Sequence, residues 1–190
     1  MQGIGEQAAL RRLTQPPVTH LLRIIGAALL VVVAACSGAP APPTACPKVA
    51  VLSDLAELVR FRPGPGRDLT DVELEARFSN FAFGCRYDKE SVAVEMDIQI
   101  EVTRGPAMTA NKTAFEYFAA ITNPTGEIVA KESFTAELEF KGNSTRVAVA
   151  DELAQRIPLL DRANGANWTI LLGLQLTDEQ RDWVKRQKTR

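Results

Sequence analysis

Apolar and polar residues alternate strictly over twelve positions in the middle of this 190-residue chain, from residue 92 to residue 103. The apolar members of this run are Val92, Val94, Met96, Ile98, Ile100 and Val102. Successive side chains of a β-strand point to opposite faces of a sheet, so the run predicts one long strand with a buried face and a solvated face. The chain is therefore expected to fold around a half-buried β-sheet.

Other stretches also have the composition of strands. Residues 72–78 and 134–140 repeat the alternation, and residues 114–122 are apolar on nearly both faces, which is typical of a central strand. Shorter strands are predicted at 49–52, 58–61, 127–131, 146–150 and 168–176. Turn-forming residues at 123–126 and 142–144 separate several of these strands.

Little of the chain has the pattern of a helix. Residues 151–157 are predicted to form one or two helical turns, ended by Pro158. Thr177 and Gln180 have the spacing of a capping box, which predicts a short C-terminal helix over about 177–188. About seven or eight short strands with so little helix predict an all-β fold, an immunoglobulin- or fibronectin III-like β-sandwich. A small β-barrel is the alternative.

The first 35 residues have the three parts of a secretory signal peptide. Three arginines make the N-terminal region basic, and residues 24–35 form an uncharged run that ends in Ala34-Ala35. A transmembrane helix needs about 20 apolar residues, so this run is too short to be a permanent membrane span.

Residues Val33-Ala34-Ala35-Cys36 resemble the lipobox of bacterial lipoproteins. The resemblance implies cleavage before Cys36, which would then carry diacylglycerol and an amide-linked acyl chain such as palmitate. Membrane lipid would thus hold the protein in the cell envelope, facing the periplasm. Ser37 follows the cysteine, which favours the outer membrane over the inner membrane.

The resemblance also divides the chain into three parts. A signal peptide (1–35) is followed by the lipidated cysteine and a tether (36–45), in which prolines favour an extended conformation. Residues 46–190 are expected to form a single β-sandwich domain that ends in the helix.

Charge and histidine content restrict what the mature protein can do. Without the three arginines and one glutamate of residues 1–35, 19 basic and 22 acidic residues remain, a formal charge of −3. This charge gives no electrostatic case for nucleic acid. The single histidine, His20, lies in the leader, so histidine-based catalysis and zinc sites are excluded from the mature chain. We expect no catalytic residue, no metal site and no cofactor.

Two cysteines remain after Cys36 is assigned to the lipid. Cys46 and Cys85 are expected to form a structural disulfide in an oxidising compartment. A reactive or metal-binding thiol pair has little support, because the chain has no closely spaced cysteine motif. The aromatic residues around Cys85 (Phe81, Phe83 and Tyr87) are expected to pack in the core beside the bridge.

Acidic residues occupy the outward positions of three predicted strands. They are Glu73, Glu75, Glu95, Asp97, Glu101, Glu137 and Glu139. If these strands adjoin, the resulting acidic face would suit a cation or a basic partner. The favoured interpretation is that the strands do not all adjoin and that each presents an ordinary solvated face.

The C-terminal helix carries a basic cluster. Its members are Arg181, Lys185, Arg186, Lys188 and Arg190. Contact with anionic lipid headgroups or peptidoglycan is one interpretation of this cluster. Docking of an amphipathic helix on the sandwich through Trp183 and Val184 is the favoured one.

Taken together, these features predict a non-catalytic, membrane-anchored envelope lipoprotein that binds or scaffolds another envelope component, most simply another envelope protein. The alternative is a lipoprotein that binds a small ligand or a cation. A hydrolase of envelope polymers that uses paired carboxylates comes last, because no recognisable acid motif is present.

Overall fold

The computed structural model of the protein describes residues 45–159 and 162–189. The predicted signal peptide, the lipobox-like residues with Cys36, and nearly all of the predicted tether lie outside these residues. So does Arg190 of the basic cluster.

The described residues form eight strands and one α-helix, with short 3₁₀ turns between some of them. The strands are β1 (Lys48–Val51), β2 (Glu57–Phe61), β3 (Val72–Tyr87), β4 (Ser91–Arg104), β5 (Lys112–Thr122), β6 (Ile128–Glu139), β7 (Arg146–Pro158) and β8 (Thr169–Leu174). The helix, α1, is Asp178–Lys188. Thr177 and Gln180 cap its first turn reciprocally, which confirms the predicted capping box.

The strands form two four-stranded sheets, in the orders β1-β8-β5-β6 and β2-β3-β4-β7. β1 and β8 are parallel, and the other pairs are antiparallel. β5 and β6 form a hairpin in the first sheet, and β7 then crosses to the second sheet and lies beside β4. The predicted all-β sandwich is therefore confirmed, and the alternative of a single barrel is wrong, because the described strands form two separate sheets.

The core lies between the two sheets. β4 is an interior strand of its sheet, and its inward side chains lie in the core. The six alternating apolar residues of β4 are at most 3% exposed, which confirms the predicted face. Tyr117, Phe140, Leu172 and Leu174 fill the core from the other sheet and its flanking residues. Fully burying one such side chain stabilises the fold by about 1.5–3 kcal/mol, so this layer dominates the stability.

The prediction of helical turns at 151–157 is wrong. These residues continue β7, which pairs with β4 from Ser91↔Pro158 to Thr103↔Arg146. The long neighbouring strand offers the backbone a full set of sheet hydrogen bonds, and this outweighs the helical propensity of a short segment. Pro158 is tolerated because it ends an edge strand.

Candidate functional site

Residues 79–86, in the second half of β3, form an edge of their sheet that only β4 pairs with among the described strands. β2 pairs with β3 only from Phe61↔Val72 to Glu57↔Arg77, and the last backbone hydrogen bond on that side runs from Phe78 N–H to the Ala56 carbonyl, 3.1 Å. Beyond that point β3 pairs only with β4 within the described part of the chain. The backbone donors and acceptors of this segment that point away from β4 are therefore open to pairing.

A bulge at the start of this segment changes which residues face the core. The register with β4 shifts between Phe78 and Asn80. Before the shift, the even-numbered residues Leu74 and Ala76 face inward and are buried. After it, the odd-numbered residues take the inward positions, because they lie opposite the core-facing residues of β4.

Two phenylalanines on this free edge are exposed. Phe81 is 36% exposed and Phe83 is 43% exposed, although they lie opposite the buried Ile98 and Met96. Their rings stack with 6.4 Å between centroids and 17° between planes. The prediction that Phe81 and Phe83 pack in the core is therefore wrong: the core side of this edge is only partly covered. Tyr87 is partly buried and does pack against the core.

The disulfide and a tyrosine hold the start of the domain against the same strand. Cys46 and Cys85 are bridged, with their Cα atoms 5.7 Å apart, which confirms the predicted disulfide. The Tyr87 hydroxyl donates a hydrogen bond to the Ala45 carbonyl at 2.6 Å. The chain thus enters the sandwich directly beside the free edge of β3.

The acidic residues do not form one face. Glu73 and Glu75 on β3 share the outer face of one sheet with Glu95, Asp97 and Glu101 on β4. The remaining two, Glu137 and Glu139, lie on β6 of the other sheet.

Arginines pair with two of the five carboxylates on the first of these faces. Arg77 donates to Glu101 at 2.7 Å, and Arg146 lies 3.7 Å from the same carboxylate. Arg86 pairs with Glu95 at 2.9 Å. Asp97 lies directly opposite Glu152. Among the residues that the structure describes, no group of three or more histidine, cysteine, aspartate or glutamate side chains is placed to hold a metal ion.

The C-terminal helix docks on the sandwich, as the favoured interpretation predicted. Val184 is 4% exposed, and Trp183 meets Phe61 edge to face with 4.8 Å between ring centroids. Part of the basic cluster is engaged locally: Arg181 pairs with Asp178, and Lys188 pairs with Asp54 at 3.1 Å. The helix thus covers one end of the core near β2.

In the described residues, the fold and this site define an all-β sandwich domain with an aromatic strand edge beside the point where the chain enters. No protein-family profile and no curated protein sequence matches the chain. In residues 45–159 and 162–189, no helix has the length and apolar character needed to cross a membrane.

Proposed function

We propose that the protein is a lipid-anchored lipoprotein of the bacterial cell envelope, with no catalytic role, that binds another envelope protein. In this proposal the free edge of β3 receives an extended segment of the partner as an added strand. The observation that carries the binding site is the edge segment 79–86, which β4 alone pairs among the described strands, with its two exposed phenylalanines.

Strand addition uses both features of this edge. Backbone hydrogen bonds to the edge supply affinity, and pockets between alternate side chains supply specificity. Edges that must stay unpaired are commonly protected by charged residues or prolines. Residues 80–87 contain one charged residue, Arg86, and its charge is engaged by Glu95 on the outer face. An apolar side chain on the added strand would pack against the rings of Phe81 and Phe83.

The proposed anchor places this edge near a membrane surface. Nine tether residues, 37–45, span about 25–30 Å when extended at about 3.1 Å per residue. The tether ends at Ala45, whose carbonyl accepts the hydrogen bond from Tyr87 at the end of β3. A partner that lies at the same membrane surface would therefore meet the edge within that reach.

The anchor is tested by replacing the proposed lipidated residue, Cys36→Ser. We expect the variant to leave the membrane fraction or to accumulate as unprocessed precursor, because two acyl chains or more are needed for stable attachment. Separation of the outer and inner membranes of cells with the unchanged protein tests the outer-membrane assignment. Normal processing and membrane retention of Cys36→Ser would contradict the lipoprotein proposal.

The binding edge is tested by introducing a photo-crosslinking phenylalanine analogue at position 83 in cells. Ile128 is the matched control position, because it is an exposed apolar residue, 59% exposed, on a strand of the other sheet. We expect one envelope protein to be captured from position 83 and not from position 128. Its cross-linked peptide should map to one segment, and the backbone amides of 80–86 should be protected from hydrogen exchange in the purified complex.

A side-chain variant completes this test. Phe83→Ser should weaken the purified complex about 30-fold, which corresponds to about 2 kcal/mol for one aromatic anchor. Capture from position 128 alone, or a complex in which Phe83→Ser binds as tightly as the unchanged protein, would show that the edge is not the binding site.

A further inference from the structure

The cleft between α1 and β2 combines cationic and aromatic side chains in a volume of about 290 Å³. The side chains that give it chemical character are Arg60, Phe61, Arg67, Glu179, Trp183 and Arg186. We propose that this cleft binds a small organic anion, a carboxylate or phosphate that carries a ring or a short apolar group. This proposal is independent of the β3 edge and of the lipid anchor.

The cleft is positively charged in a chain whose overall formal charge is −1. Three arginines and one glutamate, Glu179, line the cleft, which leaves a formal excess of two positive charges. A concentration of positive charge in a partly enclosed cleft attracts anions and disfavours cations. The first requirement on the ligand is therefore a negative charge.

The backbone and neighbouring side chains hold two of these guanidinium groups in place. Arg60 donates to the Thr113 hydroxyl at 3.0 Å and to the Ala114 carbonyl at 2.7 Å. Arg67 donates to the Gly64 carbonyl at 2.6 Å and pairs with Glu179. Arg67 also donates from Nε to Glu179 and from Nη1 to the Gly66 carbonyl. A guanidinium has five N–H donors, so Arg60 keeps three and Arg67 keeps one for an anion, and neither group has to be ordered by it.

Arg186 is the guanidinium with the most freedom to bind. Its central carbon lies 5.9 Å from the centroid of the Trp183 ring, and no carboxylate in the described part of the chain forms an ion pair with it. A planar guanidinium in this position can give two parallel hydrogen bonds to a carboxylate or phosphate.

Aromatic rings supply the apolar half of the site. Phe61 and Trp183 meet edge to face, and the Arg67 guanidinium lies 5.4 Å from the Phe61 centroid. Two adjoining rings thus lie between two cations along the wall, in the order Arg67, Phe61, Trp183, Arg186. The volume is at the lower limit of the ~300–1,000 Å³ typical of ligand sites, which suits a small molecule.

Phenyl phosphate is a suitable probe, because it joins a dianion to one ring. Titration into the full chain carrying Trp168→Phe follows the fluorescence of Trp183 alone, since the sequence contains two tryptophans. Calorimetry on the chain without that replacement measures the same affinity independently. We expect a saturable signal for phenyl phosphate and much weaker binding of inorganic phosphate and of phenol. Absence of saturable binding, or phenol binding as tightly as phenyl phosphate, would overturn the proposal.

Two matched variants locate the binding. Arg186→Gln should weaken phenyl phosphate binding about tenfold or more, as expected for loss of charge-assisted hydrogen bonds. Lys185→Gln removes the same charge from the same helix at an exposed residue that does not line the cleft, and it should leave the affinity unchanged. Equal weakening by both variants would show general attraction to the helix charge and would overturn the assignment to the cleft.

Discussion

A hydrogen bond between Tyr117 and Asp151 joins the two sheets, and Tyr117→Phe tests its contribution to stability. Tyr117 lies on β5 with no exposed surface, and its ring stacks on Phe134 with 5.2 Å between centroids. Its hydroxyl donates to a carboxylate oxygen of Asp151 on β7. Burial in the core, and next the bond to this carboxylate, raise the pKa of Tyr117 above its ordinary value.

At neutral pH, Tyr117→Phe removes the hydroxyl and keeps the buried ring. A hydrogen bond to a charged acceptor contributes about 1.5–3 kcal/mol to stability. Asp151 is exposed, so water can replace the hydroxyl and the variant leaves no buried carboxylate without a partner. We therefore expect the free energy of unfolding to fall by about 1.5 kcal/mol, at the lower end of this range.

The raised pKa adds a dependence on pH whose sign is fixed. Because folding raises the pKa, the folded chain holds the Tyr117 proton more tightly than the unfolded chain does. The stabilisation is therefore complete below the unfolded pKa of about 10, and it is lost as the pH rises from there toward the folded pKa. In that window the unchanged protein should lose up to about 1.4 kcal/mol per pH unit relative to Tyr117→Phe.

Urea denaturation followed by tryptophan fluorescence, from neutral pH to about pH 11, measures both effects. Asp151→Asn should also destabilise the protein at neutral pH. Asp97→Asn, the same change on the outer face of β4, is the control, and it should alter stability by less than about 0.5 kcal/mol. The reasoning is refuted if Tyr117→Phe is as stable as the unchanged protein at neutral pH, or if their difference stays constant through pH 11.

Two further predictions concern how the ends of the domain are held. Replacing Cys46 and Cys85 together with serine should lower the free energy of unfolding by about 4 kcal/mol, because the bridge closes a loop of about 40 residues. Urea denaturation measures the loss, and a change below about 1 kcal/mol would contradict this prediction. Val184→Ala should lower the melting temperature, because it truncates a buried side chain that contributes about 1–2 kcal/mol to the free energy of unfolding. Lys185→Ala, at an exposed residue, should not lower it. Equal melting temperatures for the two variants in a thermal scan would contradict docking of α1.

The sequence predicts the core side of the sandwich well, and the reason is physical. A half-buried strand must place apolar residues at every second position, so the alternation in β4 directly predicts which residues are buried. The same holds for Leu74 and Ala76 on β3, for Ala136 on β6 and for Phe140 directly after β6. The start of helix α1 can also be predicted from the local sequence, because its cap is formed by two nearby residues, Thr177 and Gln180.

Pairing between distant strands is less visible in the sequence. Residues 151–157 have no continuous apolar alternation, because Asp151 and Gln155 occupy inward positions of β7. Asp151 binds Tyr117 from the other sheet, and Gln155 donates to Glu132 on β6 at 3.1 Å. Each polar residue is satisfied by a partner far away in sequence, so local pattern alone favours a helix there.

The candidate site on β3 cannot be predicted from the sequence pattern, for a different reason. Phe81, Phe83, Cys85 and Tyr87 alternate at period 2, which is itself a strand signal. Their phase differs from that of residues 72–78, and the sequence does not say where the other strands end. Exposure of the two phenylalanines depends on β2 beginning only at Glu57, so that its pairing with β3 goes no further than Arg77, and this is a property of the partner strand and not of β3.

The bulge after Phe78 connects the disulfide with the exposed rings. Without the extra residue, Arg86 would face the core, at the cost of burying a charge, and Cys85 would face outward. With it, Arg86 reaches Glu95 on the outer face and Cys85 reaches Cys46. The same shift brings Phe81 and Phe83 to the inward side of a segment that β2 does not cover. Because the disulfide fixes this segment before any partner binds, an added strand would meet an ordered edge, which lowers the conformational entropy lost on binding.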